Sequence, residues 1–247
     1  MIHAKLLKRY ADFRETLYKR FSKFHHIENL EGPNVLVLSP HPDDDIFGCG
    51  GTLAKHKNLG HTVKIVYLCN GDKGCDKTNK TGIVEIRRQE AITAAALLGI
   101  KAADLIFLNC PDEQLKPVES LTGQIRDLIG AFSPDLIYLP SFLDNHPDHW
   151  NTNLILQATG VKGVNICAFE VWTPIIPNRL VDISAFAALK RKAMLAHQSQ
   201  LQQLDYQQAV FGLNQYRAKL YSKKAMDYAE AFLFMPVEHY VGLYRAR

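Results

Sequence analysis

The N-terminus of the 247-residue sequence, which begins MIHAKLLKRY, lacks an apolar run of the length that a signal-peptide core or a membrane span requires. The sequence also lacks a CxxC pair. Its five cysteines are scattered at positions 49, 69, 75, 110 and 167, which fits reduced thiols better than a disulfide framework or a structural zinc knuckle. We therefore expect a cytoplasmic protein. A chain of this length with 47% apolar residues can bury one large core, which predicts one domain.

Net positive charge is absent beyond the N-terminal segment. The formal net charge is +4, and the first 24 residues hold seven lysines or arginines against two acidic residues, so this segment accounts for the whole excess. A nucleic-acid partner requires a larger basic surface than this. The sequence therefore predicts no nucleic-acid binding.

The N-terminal segment has the pattern of an amphipathic helix. Apolar residues recur there at steps of three and four, which predicts a helical extension over residues 1–30 with a basic polar face; they are Ile2, Leu6, Tyr10, Phe13, Leu17, Phe21 and Phe24. We interpret this helix as packing either on the domain itself or, by self-association, on a second copy of the chain. The alternative is a membrane-surface anchor.

Residues 31–247 have the alternating pattern of a single α/β domain. Strands are predicted at 34–39, 62–69, 104–108, 135–139 and 165–170, and helices at 52–58, 83–98, 118–132 and 149–159. Strand runs such as VLVL and LIYL are apolar on both faces. The order predicts a Rossmann-like three-layer fold with a mostly parallel sheet. Further on, 184–197 and 206–228 are predicted helices and 231–236 a further strand.

Two clusters of histidine and aspartate follow predicted strands. His41 and the three aspartates at 43–45 come after the first strand, and the run DNHPDH at 144–149 comes after the fourth. In an open α/β sheet, ligands bind outside the carboxyl ends of the strands. We therefore expect both loops to face one crevice. The structural alternative is that the aspartates only cap the next helix and that Pro147 only holds a turn.

Carboxylates crowded into one short loop repel one another unless a cation neutralises them. Two imidazoles and one carboxylate with an open position form the ligand set of a catalytic zinc, which lowers the pKa of its bound water to about 7. A further carboxylate is then available as general base, and an unligated histidine as acid or oxyanion partner. Fe(II) or Co(II) could occupy the same ligand set.

The residues at these positions resemble a known family. PHPDDD at 40–45 followed by GCGGTLAKH, and HPDH at 146–149, are similar to the two motifs of the PIG-L/LmbE-like family of zinc-dependent N-deacetylases. Further matches are NGDKG at 70–74, EIRRQEAITAAALLGI at 85–100, Ser199-Gln200 and AEAF at 229–232. The resemblance covers residues 34 to about 235. It implies removal of an N-acetyl group from an N-acetylglucosamine-type amino sugar, so the expected partner is a small-molecule or glycan substrate.

The resemblance also implies a role for each matching residue. His41, Asp44 and His149 correspond to the zinc ligands of the family, and Asp43 to the general base. His146 corresponds to the residue that stabilises the oxyanion or protonates the leaving amine, and Asp148 to the residue that orients this histidine. Arg87 corresponds to the arginine that pairs with the base. The sequence departs from the family pattern at Asp45, where glutamate is usual.

Alternatives remain open at this point. His41-x-Asp43 with a distant histidine could form the facial triad of a non-haem Fe(II) oxygenase, although those enzymes usually have an all-β fold. Gly48-x-Gly50-Gly51 could cradle a phosphate, but its spacing is not that of a dinucleotide-binding loop. A non-catalytic carbohydrate-binding protein is the third alternative. Trp172 is either a stacking surface for a sugar or part of the core.

Overall fold

The computed structural model describes residues 8, 12, 25–27, 30–74, 82–202, 204–221 and 225–245. Of the helical extension predicted over residues 1–30, the structure describes Lys8 and Asp12, which are helical, Leu30, and His25–Ile27. The prediction is wrong at His25–Ile27, which form a strand because they pair with a neighbouring strand of the sheet. The roles of this extension in self-association or at a membrane surface stay predictions. Within the described ranges, no helix is long and apolar enough to cross a bilayer.

Eight strands within the described ranges form one sheet in the order β1-β7-β8-β6-β5-β2-β3-β4. Every neighbouring pair is parallel except those of β8, which runs antiparallel to both β6 and β7. The strands are β1 (His25–Ile27), β2 (Asn34–Ser39), β3 (Thr62–Cys69), β4 (Leu105–Cys110), β5 (Leu136–Pro140), β6 (Asn165–Phe169), β7 (Arg179–Asp182) and β8 (Ala229–Pro236). The predicted mostly parallel sheet is confirmed.

Helices connect the strands. They are α1 (Asp44–Asn58), α2 (Ile83–Leu97), α3 (Glu119–Phe132), α4 (Pro147–Thr159), α5 (Ala187–Ala196), α6 (Gln198–Leu201), α7 (Tyr206–Tyr221) and α8 (Val237–Arg245), with 3-10 turns at Ala102–Asp104 and Ser184–Phe186. Helix α1 begins eight residues before the predicted 52–58 helix, because the glycine-rich run is itself helical. The predicted 206–228 helix ends at Tyr221, and the last predicted strand starts two residues earlier, at Ala229.

Both faces of the sheet are covered, as the apolar strand runs predict. Alternate residues of β2 belong to two separate cores: Val35 and Val37 pack with α1, α2, α5 and α7, whereas Leu36 and Leu38 pack with α3, α4 and α8. Side chains of one strand point alternately to opposite faces, so a strand buried on both faces is apolar throughout. The predicted three-layer α/β architecture is confirmed.

The glycines of α1 allow the helix to lie directly on its neighbours. A Cβ atom on Gly48 would come within 2.1 Å of the Phe169 ring, and one on Gly51 within 2.8 Å of Ile183. Non-bonded carbon atoms prefer separations of about 3.5–4.0 Å. Close packing therefore explains these glycines, and a phosphate cradle is not needed to do so.

The helical backbone of α1 breaks at Cys49, whose φ of −140° and ψ of 16° are not helical. Two buried side chains replace the helical hydrogen bonds that this break removes. The Glu230 carboxylate accepts from the amides of Gly51 and Thr52 at 2.9 and 2.7 Å, and the Lys190 ammonium donates to the carbonyl of Phe47 at 2.9 Å. Residues from β8 and α5 thereby hold α1 on both sides of the break, and the segment before the break carries Asp44.

The strand order also positions the two His/Asp loops. Strands β2 and β5 are parallel neighbours, with Val35 opposite Leu136 and Val37 opposite Tyr138. Their carboxyl ends therefore meet at one edge of the sheet. Residues 40–45 leave from the end of β2 and residues 141–149 from the end of β5, which brings the two clusters into one crevice.

Candidate active site

One carboxylate oxygen joins the two loops. Asp44 Oδ2 lies 3.1 Å from His41 Nδ1 and 3.2 Å from His149 Nε2, and it accepts a hydrogen bond from the His41 amide at 2.9 Å. The local reason is that Asp44 is the first residue of α1 and His149 lies in the first turn of α4. Two helix starts at the same sheet edge bring these three side chains together.

Each imidazole also has a second carboxylate on its other nitrogen. His41 Nε2 lies 3.1 Å from Asp148 Oδ2, and His149 Nδ1 lies 3.2 Å from Asp144 Oδ1. Carboxylates in this position fix the orientation and tautomer of histidines that bind metals. Asp144 had no predicted role, although it opens the DNHPDH run. Its position after a strand and beside the histidines was the signal that could have found it.

Asp144 is itself tightly held. Its Oδ1 accepts from the His146 amide at 3.0 Å and its Oδ2 from the Trp172 amide at 2.9 Å. Burial raises the pKa of Asp144, but the nearby His149 ring and the amides of His146 and Trp172 together outweigh burial, so the net shift of this pKa is downward. An ionised Asp144 therefore faces His149.

The charges of this cluster favour a cation. Burial lowers the pKa of His41 and of His149, but the surrounding carboxylates outweigh it and raise the two pKa values to about 10 and about 9. The fully buried ring nitrogens of His149 make no hydrogen bond of good geometry to any described residue, despite their carboxylate neighbours. Ring nitrogens held beside carboxylates, with lone pairs available, fit a divalent metal that displaces the imidazole protons.

Other groupings could also hold an ion. The ligand atoms of His41, His146 and His149 lie within 4.8 Å of one another, as do those of His41, Cys69 and Asp112. The second grouping is disfavoured because burial raises the pKa of the Cys69 thiol, whereas metals bind the thiolate. Asp44 Oδ2 lies 3.1 and 3.2 Å from ring nitrogens of His41 and His149, which is closer than the 4.8 Å limit of the two groupings. These short distances favour His41, Asp44 and His149 as the ligand set.

Asp43 lies beside this set and pairs with Arg87. Arg87 Nη2 donates to Asp43 Oδ2 at 3.1 Å, and its Nη1 donates to the Gly71 carbonyl at 3.2 Å. Burial raises the pKa of Asp43 and outweighs the lowering effect of Arg87. The expected ion pair forms, but the net shift is upward, which makes Asp43 a stronger base than an exposed carboxylate.

His146 is placed by its own backbone turn. Its Nδ1 accepts from the Asp148 amide at 3.2 Å, and its ring centroid lies 4.8 Å from those of His41 and His149. Burial and the neighbouring imidazolium rings lower the pKa of His146. The carboxylate of Asp148 contacts His41, so the contact of Asp148 with His146 is through its main chain.

Asp45, the departure from the family pattern, lies behind the cavity and is fully buried. Its Oδ2 accepts from the Tyr67 hydroxyl at 3.0 Å and its amide donates to Ser39 Oγ at 3.2 Å. Burial raises the pKa of Asp45 to about 7. Asp45 thus joins the start of α1 to strand β3.

A cavity of about 220 Å³ opens in front of the cluster. Its lining includes His41, Asp43, Asp44 and His146. Lys73 also lines it, and its ammonium pairs with the carboxylate of Glu113. Trp172 lines the cavity with 47% of its surface exposed, so it is not part of the core.

The fold is a three-layer α/β fold, and a buried His/Asp cluster lies at the carboxyl edge of its sheet beside a carboxylate whose pKa is raised. These are the features of a metal-dependent hydrolase. The sequence profile of the PIG-L family, the GlcNAc-PI de-N-acetylases, matches residues 36–159. The chain belongs to this family, whose deacetylases are metal-dependent.

Known relatives agree with this placement. A diacetylchitobiose deacetylase from Thermococcus kodakarensis is 27% identical over 187 residues, which are 67% of this chain and 69% of that protein. The structure of the N,N'-diacetylchitobiose deacetylase from Pyrococcus horikoshii has a TM-score of 0.74 at 23% identity and covers 94% of both chains. A 4-oxalmesaconate hydratase from Pseudomonas putida is 25% identical over 54% of this chain and 57% of that protein.

The predicted family and the hydrolytic deacetylase class are confirmed, and the oxygenase alternative is wrong. The fold gives a physical reason for that exclusion, since the His/Asp cluster lies on a parallel α/β sheet and not inside a β-barrel.

Proposed function

We propose that this protein is a zinc-dependent deacetylase that removes the acetyl group from the nitrogen of an N-acetylglucosamine unit. One observation carries the proposal: a single oxygen of Asp44 lies 3.1 and 3.2 Å from ring nitrogens of His41 and His149. The other nitrogen of each ring faces the carboxylate of Asp148 or Asp144. This is how proteins orient metal-binding histidines.

His41, Asp44 and His149 are the proposed ligands. A zinc ion bound there would supply an activated water molecule and polarise the carbonyl of the substrate. Two imidazoles and one carboxylate suit zinc and leave a coordination position open for chemistry. The alternative trio of His41, His146 and His149 would leave Asp44 without a function and would use His146 as a ligand, so that its ring could not act on the carbonyl oxygen.

Asp43 is the proposed general base. It lines the cavity beside Asp44, and burial raises its pKa, which increases its affinity for the proton that the attacking water loses. The hydrogen bond from Arg87 fixes the carboxylate in one orientation. The same proton is then available to the departing nitrogen, which leaves as an amine.

His146 is the proposed partner of the carbonyl oxygen. Because its Nδ1 accepts the Asp148 amide hydrogen, its proton resides on Nε2, where it is available as a donor. A neutral imidazole, as the lowered pKa indicates, donates this hydrogen to the oxygen that becomes negative when water adds to the carbonyl. When the C–N bond breaks, acetate and an amino sugar are released.

The substrate class is supported by the family, which is that of GlcNAc-PI de-N-acetylases, and by the relative that acts on diacetylchitobiose. The cavity is consistent with a sugar ring, since an exposed indole and several polar groups line it together. Aromatic rings offer an apolar face to a sugar while polar groups bind its hydroxyls.

The test is release of primary amine from free N-acetylglucosamine, N,N'-diacetylchitobiose and a nucleotide-linked N-acetylglucosamine, with zinc supplied. We expect release from at least one of these compounds, loss of release with a chelator, and recovery with zinc. Metal analysis of protein purified without chelator is expected to find about one equivalent of zinc, the content of a single three-ligand site.

Three outcomes would contradict the proposal. Release that persists after complete removal of metal would exclude the metal-dependent reaction. No release from any compound, combined with hydration of an unsaturated dicarboxylic acid, would place the protein with its hydratase relative. Sugar binding without either reaction would favour the non-catalytic carbohydrate-binding alternative.

A further inference from the structure

A second cavity, of about 340 Å³, adjoins the catalytic cavity. Four residues line both: Phe47, Val171, Trp172 and Tyr206. The ring centroids of Phe47 and Tyr206 are 5.1 Å apart, and those of Trp172 and Tyr206 are 5.7 Å apart. These rings therefore form a wall that the two cavities share, and one of them, Phe47, lies three residues after Asp44 on α1.

The second cavity is lined mainly by hydrocarbon. Pro174, Leu204, Val210 and Leu213 are among its lining residues. Its volume lies within the range of small-molecule sites, about 300–1,000 Å³. An apolar ligand gains free energy in such a site because its surface leaves water.

The polar groups at its edge already have protein partners. Glu170 accepts from Arg217 and from the Ile175 amide, and the amide oxygen of Asn214 accepts from Lys190. These groups therefore offer a ligand no uncompensated charge. The cavity selects for hydrocarbon.

The His/Asp cluster has a polar flank on one side and an apolar flank on the other, because loops after different strands form the two sides. The cluster lies at the ends of β2 and β5, with β3 and β4 on one side in the sheet and β6 on the other. Loops after β3 and β4 contribute polar groups such as Asp112 and Glu113. The loop after β6 contributes Val171 and Trp172, which with α7 enclose the apolar cavity.

We propose that this apolar cavity binds the acyl chain of the substrate, so that the enzyme hydrolyses N-acyl amino sugars with acyl groups longer than acetyl. The inference rests on the proposed function. The sugar and the acyl chain lie on opposite sides of an amide carbonyl. The sugar has hydroxyl groups that suit the polar flank, whereas a longer acyl chain is hydrocarbon that suits the apolar flank.

The reaction is the same amide hydrolysis. Water adds to the carbonyl carbon, the C–N bond breaks, the nitrogen takes the proton held by Asp43, and the acyl group leaves as a carboxylate. No oxidant or further reactant is needed. The cavity affects only how tightly the acyl part is bound as the reaction proceeds.

The first experiment measures hydrolysis of the N-acetyl, N-butanoyl and N-hexanoyl forms of one glucosamine conjugate by the zinc-loaded protein. We expect kcat/KM to rise about fourfold for each added methylene that enters the cavity, from the free energy of burying a methylene. In Ala209→Phe, which places a ring at the cavity lining, the ratio of hexanoyl to acetyl kcat/KM is expected to fall toward one. The matched control is Gln208→Phe, because Gln208 is exposed on α7 outside the cavity.

A binding measurement separates this inference from the proposed function. Calorimetric titration with acetate and with hexanoate compares two carboxylates that differ only in the chain, and it requires no turnover. We expect hexanoate to bind more tightly than acetate to the unmodified protein and to Gln208→Phe, but not to Ala209→Phe. Equal binding of both carboxylates to the unmodified protein would overturn the inference.

The kinetic series has its own contradicting results. A kcat/KM that falls as the chain lengthens, or a chain-length dependence that Ala209→Phe leaves unchanged, would also overturn the inference. If no acyl length is hydrolysed, the proposed function fails, and the hexanoate titration still decides whether the cavity binds an acyl chain.

Discussion

Helix α1 contacts two buried clusters of charged side chains, and they differ in how their charges are balanced. The pair at its broken turn, Lys190 and Glu230, combines one positive with one negative group 2.7 Å apart. Both side chains are fully buried, and their remaining hydrogen bonds go to Asn214 and to main-chain groups of α1. This cluster is complete without any ligand.

The cluster at the start of the same helix is not balanced by protein groups alone. Asp43 and Asp44 lie there with the carboxylates of Asp144 and Asp148, and the buried guanidinium of Arg87 pairs with Asp43 at 3.1 Å and with Asp112 at 4.0 Å. The positive charge that the other carboxylates favour falls on two imidazoles, whose pKa values they raise. A buried cluster that requires a further cation is suited to bind one, whereas a balanced cluster serves the fold.

The largest effect expected from this difference is on catalysis. Asp43→Asn is expected to lower kcat/KM by about 10²–10⁴, the usual contribution of a general base, while zinc content stays unchanged. The control is Asp127→Asn on the exposed face of α3, which should leave both quantities unchanged. Measured activity within tenfold of the unmodified protein would remove Asp43 from the role of base.

Removing one charge of the Lys190–Glu230 pair should lower the stability of the fold. Glu230→Gln leaves the Lys190 charge buried without its partner and is expected to lower the free energy of unfolding by about 3–5 kcal/mol in urea denaturation. The double variant Glu230→Gln with Lys190→Met should recover part of this loss, because no unpaired charge remains. Glu119→Gln breaks the exposed pair with Arg126 and serves as the control, with no measurable loss expected.

A loss of activity in Glu230→Gln without a loss of stability would contradict this assignment, since it would give the Lys190–Glu230 pair a catalytic role instead of a structural one.

The outer carboxylates should show a smaller effect, on metal affinity. Asp144→Asn keeps the shape of the side chain but removes the charge that faces His149 Nδ1. Zinc affinity is expected to fall by about 10–100-fold, the usual effect of removing such a partner. Competition with a chromogenic chelator measures it, with Asp127→Asn as control. Unchanged affinity would show that His149 does not depend on Asp144.

The smallest expected effect concerns a buried histidine outside both clusters. His56 bonds to Tyr138 and His61, and burial, with the charges of His61 and Lys55, lowers its pKa to about 3. The unfolded chain binds a proton below about pH 6.5, whereas folded His56 does not until about pH 3. Its contribution to stability is therefore complete above pH 6.5 and is lost progressively as the pH falls toward 3.

The measurement is the free energy of unfolding at pH 7.5 and 5.5 for the unmodified protein and for His56→Gln. We expect the unmodified protein to lose about 1.4 kcal/mol more than the variant over this interval, because one proton is taken up on unfolding over one pH unit below 6.5. Equal losses in the two proteins would show that His56 is protonated in the folded state.

Much of the fold could be predicted because the central strands are long and apolar. Strands β2 and β3 have the predicted bounds, and β4 to β6 differ from them by one or two residues. The short strands His25–Ile27 and Arg179–Asp182 were missed, because three or four residues are too few to show a period. The antiparallel direction of β8 is not encoded in local sequence either.

Within the proposed site, the sequence predicted which residues lie together but not all their contacts. His41, Asp44 and His149 were predicted to meet and do so. The sequence left Asp144 without a role, and it paired Asp148 with His146, whereas the Asp148 carboxylate contacts His41. Contacts between side chains on different loops depend on the angles at which the chain leaves each strand, and local patterns do not specify these angles.

The sequence by itself determined the chemistry available at the carboxyl edge of the sheet, because parallel strands end at one edge and each motif directly follows a strand. Only the tertiary structure decided the net pKa shift of Asp43, the partner of each imidazole, and the contrast between a polar and an apolar flank. Those properties depend on burial and on neighbours distant in the chain, and both exist only once helices from separate parts of the sequence have packed on the sheet.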